Sequence, residues 1–150
     1  MIDTLIQFQL FLIPIAIIIF AQSIKFVRLS IRHGIKWDNI LDPGHFPSAH
    51  SAFVTSLVVV IGYYENVTSG VFAVASCFAF ITIYDAMRIR MQIGMQGRTL
   101  NKLVEETKGI NHKDFPRLKE HVGHYANEVA GGIAVGFVVT AFFIYIVTLL

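Results

Sequence analysis

The chain has 150 residues, of which 55% are hydrophobic and only 15% charged, and its mean hydropathy is +0.63. A soluble domain carries about 25% charged residues, so this composition excludes the ordinary soluble class and makes the chain an integral membrane protein, expected as a single domain over residues 1–150. The net charge of +2 excludes little by itself.

Four segments read as membrane-spanning helices. The first runs from about Leu5 to Phe26, with Pro14 as a kink that a membrane helix tolerates. It is too long and starts too acidic (Asp3) for a cleavable signal peptide. The second runs from about Ser51 to Tyr64 and begins a few residues earlier if it includes the Pro47 motif. That is short, since a helix needs roughly 20 residues to cross ~30 Å of hydrocarbon. Its first half (Ser48, Ala49, Ala52, Thr55, Ser56) is small enough for close helix approach. The third runs from about Val67 to Met87 and contains the single cysteine, Cys77, which excludes an intramolecular disulfide. Between Arg88 and Glu128 the chain is too long for a bare loop. Leu100, Leu103, Val104 and Thr107 fit one face of a short amphipathic helix at the membrane surface, stopping near Lys108-Gly109, and Pro116 reads as an early position of another helix. The fourth span runs from about Val129 to Leu150, with Gly132-x-x-x-Gly136 as a second small-residue device.

Charge sets an orientation. All twelve Lys and Arg fall between Lys25 and Lys36 or between Arg88 and Lys119, while the other ends carry Asp3 and Glu65. The positive-inside rule then makes both basic segments cytoplasmic, with the N-terminus, the Glu65 loop and the C-terminus outside. All six histidines fall on the cytoplasmic side.

Three clusters can carry chemistry. In Pro47-Ser48-Ala49-His50-Ser51, Pro47 suits the first turn of a helix, which would present free backbone N–H groups to an anion. His50 adds a side chain that trades a proton near neutral pH. A serine-capped helix start with a headgroup-level histidine explains the same residues equally well. His121, His124 and Glu128 share one face of a predicted helix at spacings of three and four. Glu128 can hold one ring nitrogen of His124 and leave the other free to attack, although the same three side chains are also an ordinary zinc ligand set. Asp85 lies just inside the bilayer and needs a cation, which Arg90 or Lys25 can supply.

In that order and spacing, Pro47-Ser48-Ala49-His50-Ser51-Ala52, Tyr84-Asp85-Ala86, Arg90, Gly94 with Gln96, Leu100-Asn101, Gly123-His124 and Glu128-Val129 with Gly132 resemble the divergent branch of the type-2 phosphatidic acid phosphatases. That branch is related to acid phosphatases and vanadium-dependent haloperoxidases. The resemblance covers roughly Ala21 to Gly136. It implies His50 as general acid, His124 as the nucleophile that forms a phosphohistidine and Glu128 as its orienting acid. It also implies Lys25, Ser48, Ala49 and Arg90 as phosphate-binding groups, with Asp85, Gln96, Asn101 and His121 in support. The chain departs from the branch at Met91, where a second arginine is usual, and at Tyr125-Ala126, where Thr-Pro is usual.

These readings lead to an all-α protein of four spans with a cytoplasmic helical segment between the third and fourth, and a phosphate site at the cytoplasmic headgroup level. The expected activity is hydrolysis of a lipid phosphate or diphosphate without metal or other cofactor. The alternative is a silent relative that binds phospholipid headgroups or a partner protein. Membrane lipids and the lipid phosphate are the expected partners, nucleic acid is not, and homo-oligomerisation is left open.

Overall fold

The computed structural model describes residues 2–35, 45–109, 115–120 and 123–149. Among them the chain is helical and shows no strand: α1 (Ile2–His33), α2 (Ala49–Tyr64), α3 (Gly70–Tyr84), a π-helical turn (Asp85–Ile89), α4 (Arg90–Glu106) and α5 (Ala126–Leu149). Among the described residues three helices are long and apolar enough to cross a membrane: Phe8–Arg32, the continuous rod Gly70–Glu106 and Ala126–Leu149. At 16 residues, α2 is about 24 Å long and falls short of the hydrocarbon thickness. Four full-length spans are therefore not what the fold displays. The short helix instead packs against α1, α3 and α5 at the centre of the bundle.

The helices meet along rows of residues four apart. Buried on α1 are Ile13, Ile17, Ala21, Lys25 and Leu29; on α2, Ser48, Ala52, Ser56 and Val60. On α5 the row is Glu128, Gly132, Gly136, Thr140 and Ile144. Rows with this period interlock when their members are small, because lipid supplies no hydrophobic drive and close van der Waals contact must hold the pair. A Cβ on Gly132 would fall on the Ser48 carbonyl oxygen, and one on Gly136 on the Ala52 carbonyl oxygen. Farther along, the Thr140 hydroxyl donates to Ser56 Oγ at 2.7 Å in a fully buried pair. The small-residue stripes legible on the second and fourth segments are thus the seam between α2 and α5.

Numbers along that seam rise together, so α2 and α5 run parallel and start at the same end of the bundle. Ser48 N–H donates to Glu128 C=O at 3.0 Å to close this end. At the other end the Tyr64 hydroxyl donates to Gln9 on α1, so α1 is antiparallel to α2 and brings its Lys25 end back to the two helix starts. Most of α3 faces outward, with only Ala75 and Ala79 buried. Val74, Phe78, Phe80, Phe137 and Phe142 are exposed apolar groups of the kind a lipid-facing surface requires.

Two expected features differ. No helix starts at Pro116: residues 116–119 have no regular structure and α5 begins at Ala126. The amphipathic stretch is not a separate surface helix but the continuation of α3 through the π-turn. It ends where expected, with Thr107 as its C-cap. Its buried side is Gly94, Gly97 and Asn101, while Leu100 and Leu103 are exposed. Asn101 clamps the returning chain, its amide donating to Leu118 C=O and accepting from Leu118 N–H, both at 2.9 Å. Nearby, a Cβ on Gly97 would lie 2.8 Å from the Lys119 carbonyl oxygen.

Candidate functional site

Ser48, not Pro47, begins α2. Its backbone is extended (φ −70°, ψ 110°), its hydroxyl accepts from Ser51 N–H at 3.4 Å, and the Ser51 hydroxyl donates to it at 2.9 Å. Pro47 therefore sits just outside the helix, after a cis Phe46–Pro47 peptide. Ser48 spends its side chain on capping, which leaves Ala49 and His50 at the first two helical positions with N–H groups that have no intrahelical acceptor. Ala49 is buried and His50 exposed.

His124 comes two residues before α5 rather than on it. Glu128 is the third residue of α5, and one of its oxygens, Oε2, takes two bonds. It lies 3.0 Å from His124 Nδ1 and accepts Tyr125 N–H at 3.1 Å. The second bond reaches back to cap the helix start, as a glutamate at that position does in a capping box. Helix capping and histidine orientation are carried by the same carboxylate. Both side chains are buried, at 7% and 9% exposure. Burial is the largest influence on His124 and lowers its pKa below the ordinary 6.5; Lys25 and Arg90 act in the same direction, while the bond and charge of Glu128 oppose them. The imidazole is thus held neutral near pH 7, and a proton on Nδ1 facing Glu128 leaves Nε2 with its lone pair.

The backbone of His124 is fixed by a feature the sequence reading missed. In the π-turn, Arg90 N–H reaches back five residues to Asp85 C=O. A regular helix would use Ala86 C=O there. That carbonyl instead accepts His124 N–H at 3.1 Å. The neighbouring Gly123 packs so closely that a Cβ would lie 2.7 Å from Met91 N. The same turn places Asp85 and Arg90 side by side, with Arg90 Nε 3.3 Å from Asp85 Oδ2. Five residues apart on a regular helix, the two would diverge by about 140°. The only sequence signal for this arrangement was an aspartate in need of a cation.

Lys25 is 6% exposed, at a position where the α1 row otherwise places apolar residues. Its charge, with those of Arg90 and Asp85, acts on His50. Two parallel helix starts, a buried lysine, an arginine and two histidines therefore gather at one end of the bundle. Positive helix ends and oriented cations are what a phosphoryl group binds to. Of the expected supporting residues, Asn101 serves the Leu118 clamp and also donates to Glu120 Oε1 at 3.0 Å. Gln96 is exposed on α4 and its side chain makes no hydrogen bond among the described residues. His121, and with it the three-residue zinc alternative, lies outside the described residues.

The sequence profile described as the divergent PAP2 family matches residues 6–139, and the chain belongs to that family. It is 36% identical over 143 residues to the uncharacterized membrane protein YuiD of Bacillus subtilis (strain 168), covering 87% of this chain and 90% of the relative. No solved structure matches. The protein is accordingly an all-helical membrane protein related to the type-2 phosphatidic acid phosphatases.

Proposed function

We propose that this protein is a membrane phosphatase that hydrolyses a lipid phosphate or diphosphate through a phosphohistidine on His124, without a metal. The observation that carries the reading is the buried His124–Glu128 pair, 3.0 Å apart, beside the start of α2 and the Lys25 and Arg90 charges. In the first step the Nε2 lone pair of His124 forms the N–P bond. The bond from phosphorus to the lipid oxygen breaks, and His50 protonates the departing oxygen. The positive charge that develops on the imidazole is met by Glu128. Lys25, Arg90 and the N–H groups of Ala49 and His50 hold the non-bridging oxygens, with Ser48 keeping the helix start in shape. In the second step water gives a proton to His50 and attacks phosphorus, and the N–P bond breaks to release phosphate and neutral His124.

The same reading gives the chain four crossings, with α2 crossing inside the bundle where α1, α3 and α5 shield its ends. Basic segments and site then face the cytoplasm, a sidedness supported by the clustering of Lys and Arg. The reading is tested by offering purified protein a panel of lipid phosphates in EDTA, with His124→Ala as control and vanadate as inhibitor. Turnover that survives EDTA, is blocked by vanadate and vanishes in His124→Ala is the expected result. Headgroup binding without turnover would favour the silent relative, and activity lost in EDTA would favour a metal at His121, His124 and Glu128.

A further inference from the structure

Ile89, Ile93, Gln96, Leu100 and Leu103 form a stripe from the end of the π-turn along α4, at spacings of four, three, four and three. The stripe lies beside the packed face of Gly94, Gly97 and Asn101. Its aliphatic members are about half exposed (Ile89 51%, Ile93 49%, Leu100 49%, Leu103 60%), and Gln96 is exposed as well. We infer that this stripe is the seam of a parallel homodimer, in which α4 packs against α4 of a second copy as a short coiled coil. The inference does not depend on the phosphatase reading.

Alternating steps of three and four average about 3.5 residues, the period that keeps a row facing a partner helix, with Ile93 and Leu100 at one core position and Gln96 and Leu103 at the other. The helix runs without a break from Gly70 to Glu106, and at 1.5 Å per residue Leu100 stands about 15 Å along it beyond Arg90. The surface around the stripe carries Gln92, Arg98, Lys102, Glu105 and Glu106, all exposed, so the stripe meets water rather than acyl chains, and an apolar row in water needs cover. Charge favours a second copy as that cover. Gln92 and Thr99 border the seam on one side, Gly97 and Val104 on the other, and all are uncharged. The charged groups at its two ends, Arg90 and Glu106, are answered within their own chain by Asp85 at 3.3 Å and Lys102 at 3.7 Å. Two identical helices therefore meet without like-charge repulsion, and no charge pattern selects an unlike partner. The Gln96 amide holds both donors and an acceptor, and its side chain makes no hydrogen bond among the described residues. Across a two-fold axis the two amides satisfy each other and fix the register. Two stripes bring together on the order of 1,000 Å² of accessible surface, the lower bound for a specific interface. The shared membrane adds the rest, since it holds both copies in one orientation, which makes the pairing parallel, and at high effective concentration.

The test uses the full chain in proteoliposomes, in a Cys77→Ser background, with one cysteine introduced at a time and an oxidant added. Leu100→Cys and Leu103→Cys, each facing its twin across the axis, should cross-link at least about tenfold faster than Arg98→Cys, which a coiled coil holds on its outer side beyond disulfide reach. In mild detergent the protein mass of the wild-type particle should be twice the 16.8 kDa of one chain. The paired substitutions Leu100→Glu and Leu103→Glu should halve that mass and leave helicity and melting temperature near wild type, because both side chains are exposed in the single copy. A wild-type mass of one chain, cross-linking of Arg98→Cys as fast as of Leu100→Cys, or a dimer that survives the paired glutamates overturns the inference. A fluorescent probe on Leu100→Cys that brominated lipid quenches would assign the stripe to the membrane surface and overturn it too.

Discussion

Glu128 carries two duties on one oxygen, and they can be separated. An amide oxygen still accepts Tyr125 N–H, but it cannot neutralise an imidazolium. Glu128→Gln is therefore expected to keep the α5 start and most thermal stability while losing at least about a hundredfold in turnover. Melting curves alongside rates check this. His124 supplies a pH signature with a definite sign. Its folded pKa lies below the unfolded 6.5, so the unfolded chain binds more protons between those values. Stability should be flat above the ordinary histidine range and fall as pH drops through it toward the folded value. Replacing His124 with Gln should flatten that part of the slope, as chemical unfolding in detergent across pH 5–8 would report. His50, exposed and near the cations, should show itself through the leaving group. His50→Ala is expected to slow an alkyl phosphate far more than an activated aryl phosphate, which needs little protonation; equal losses on both would remove it from the general-acid role.

At the scale of elements the π-turn does what no regular helix there could do. It releases Ala86 C=O to hold His124 N–H and sets Arg90 against Asp85. Gly123→Ala would push a methyl against Met91 and lift His124 from that carbonyl. Turnover should fall by an order of magnitude or more for a stability loss of about 1–3 kcal/mol, measured as kcat on folded protein. In the sequence, Asp85 was legible as an acid in need of a cation, Arg90 or Lys25, because an unpaired acid at that depth is costly. The turn was not, since π-turns have no residue signature and only the docked Gly123-His124 segment shows its use. The helix expected at Pro116 failed for a related reason. Asn101, a long way off in sequence, holds Leu118 by two backbone bonds, and such a tertiary clamp overrides a local start signal. Ser48 shows how a motif can be right and its register wrong, because both proline and serine suit a helix start and only the hydroxyl's bond to Ser51 decides.

For the whole molecule the organising fact is the parallel seam of α2 and α5, which makes two helix starts meet and fixes Ser48 relative to Glu128. Its small residues were legible as stripes, though not the direction in which the helices run. Gly132→Ala tests the seam. A methyl elsewhere in a helix gains about 0.5–1 kcal/mol, but here it falls on a backbone oxygen. Net destabilisation and loss of activity are expected together, whereas Thr140→Val, which removes one buried bond distant from the site, should cost only about 0.6 kcal/mol and spare activity. The short second segment was legible as a problem, and the bundle answers it by burying α2 among its neighbours. Charge clustering and the antiparallel α1 agree in bringing the basic ends together. All of this matters to function only if His124 attacks phosphorus, and the direct measurement is to trap the intermediate. Purified protein mixed with a labelled lipid phosphate in EDTA and quenched in base within one turnover should carry an acid-labile phosphoryl group, which peptide mass spectrometry assigns to His124. The group should be absent from His124→Ala and longer-lived in a variant impaired in the water step. Turnover of the same lipid with no phosphoryl-enzyme at any quench time, or with the label on another residue, would contradict the account.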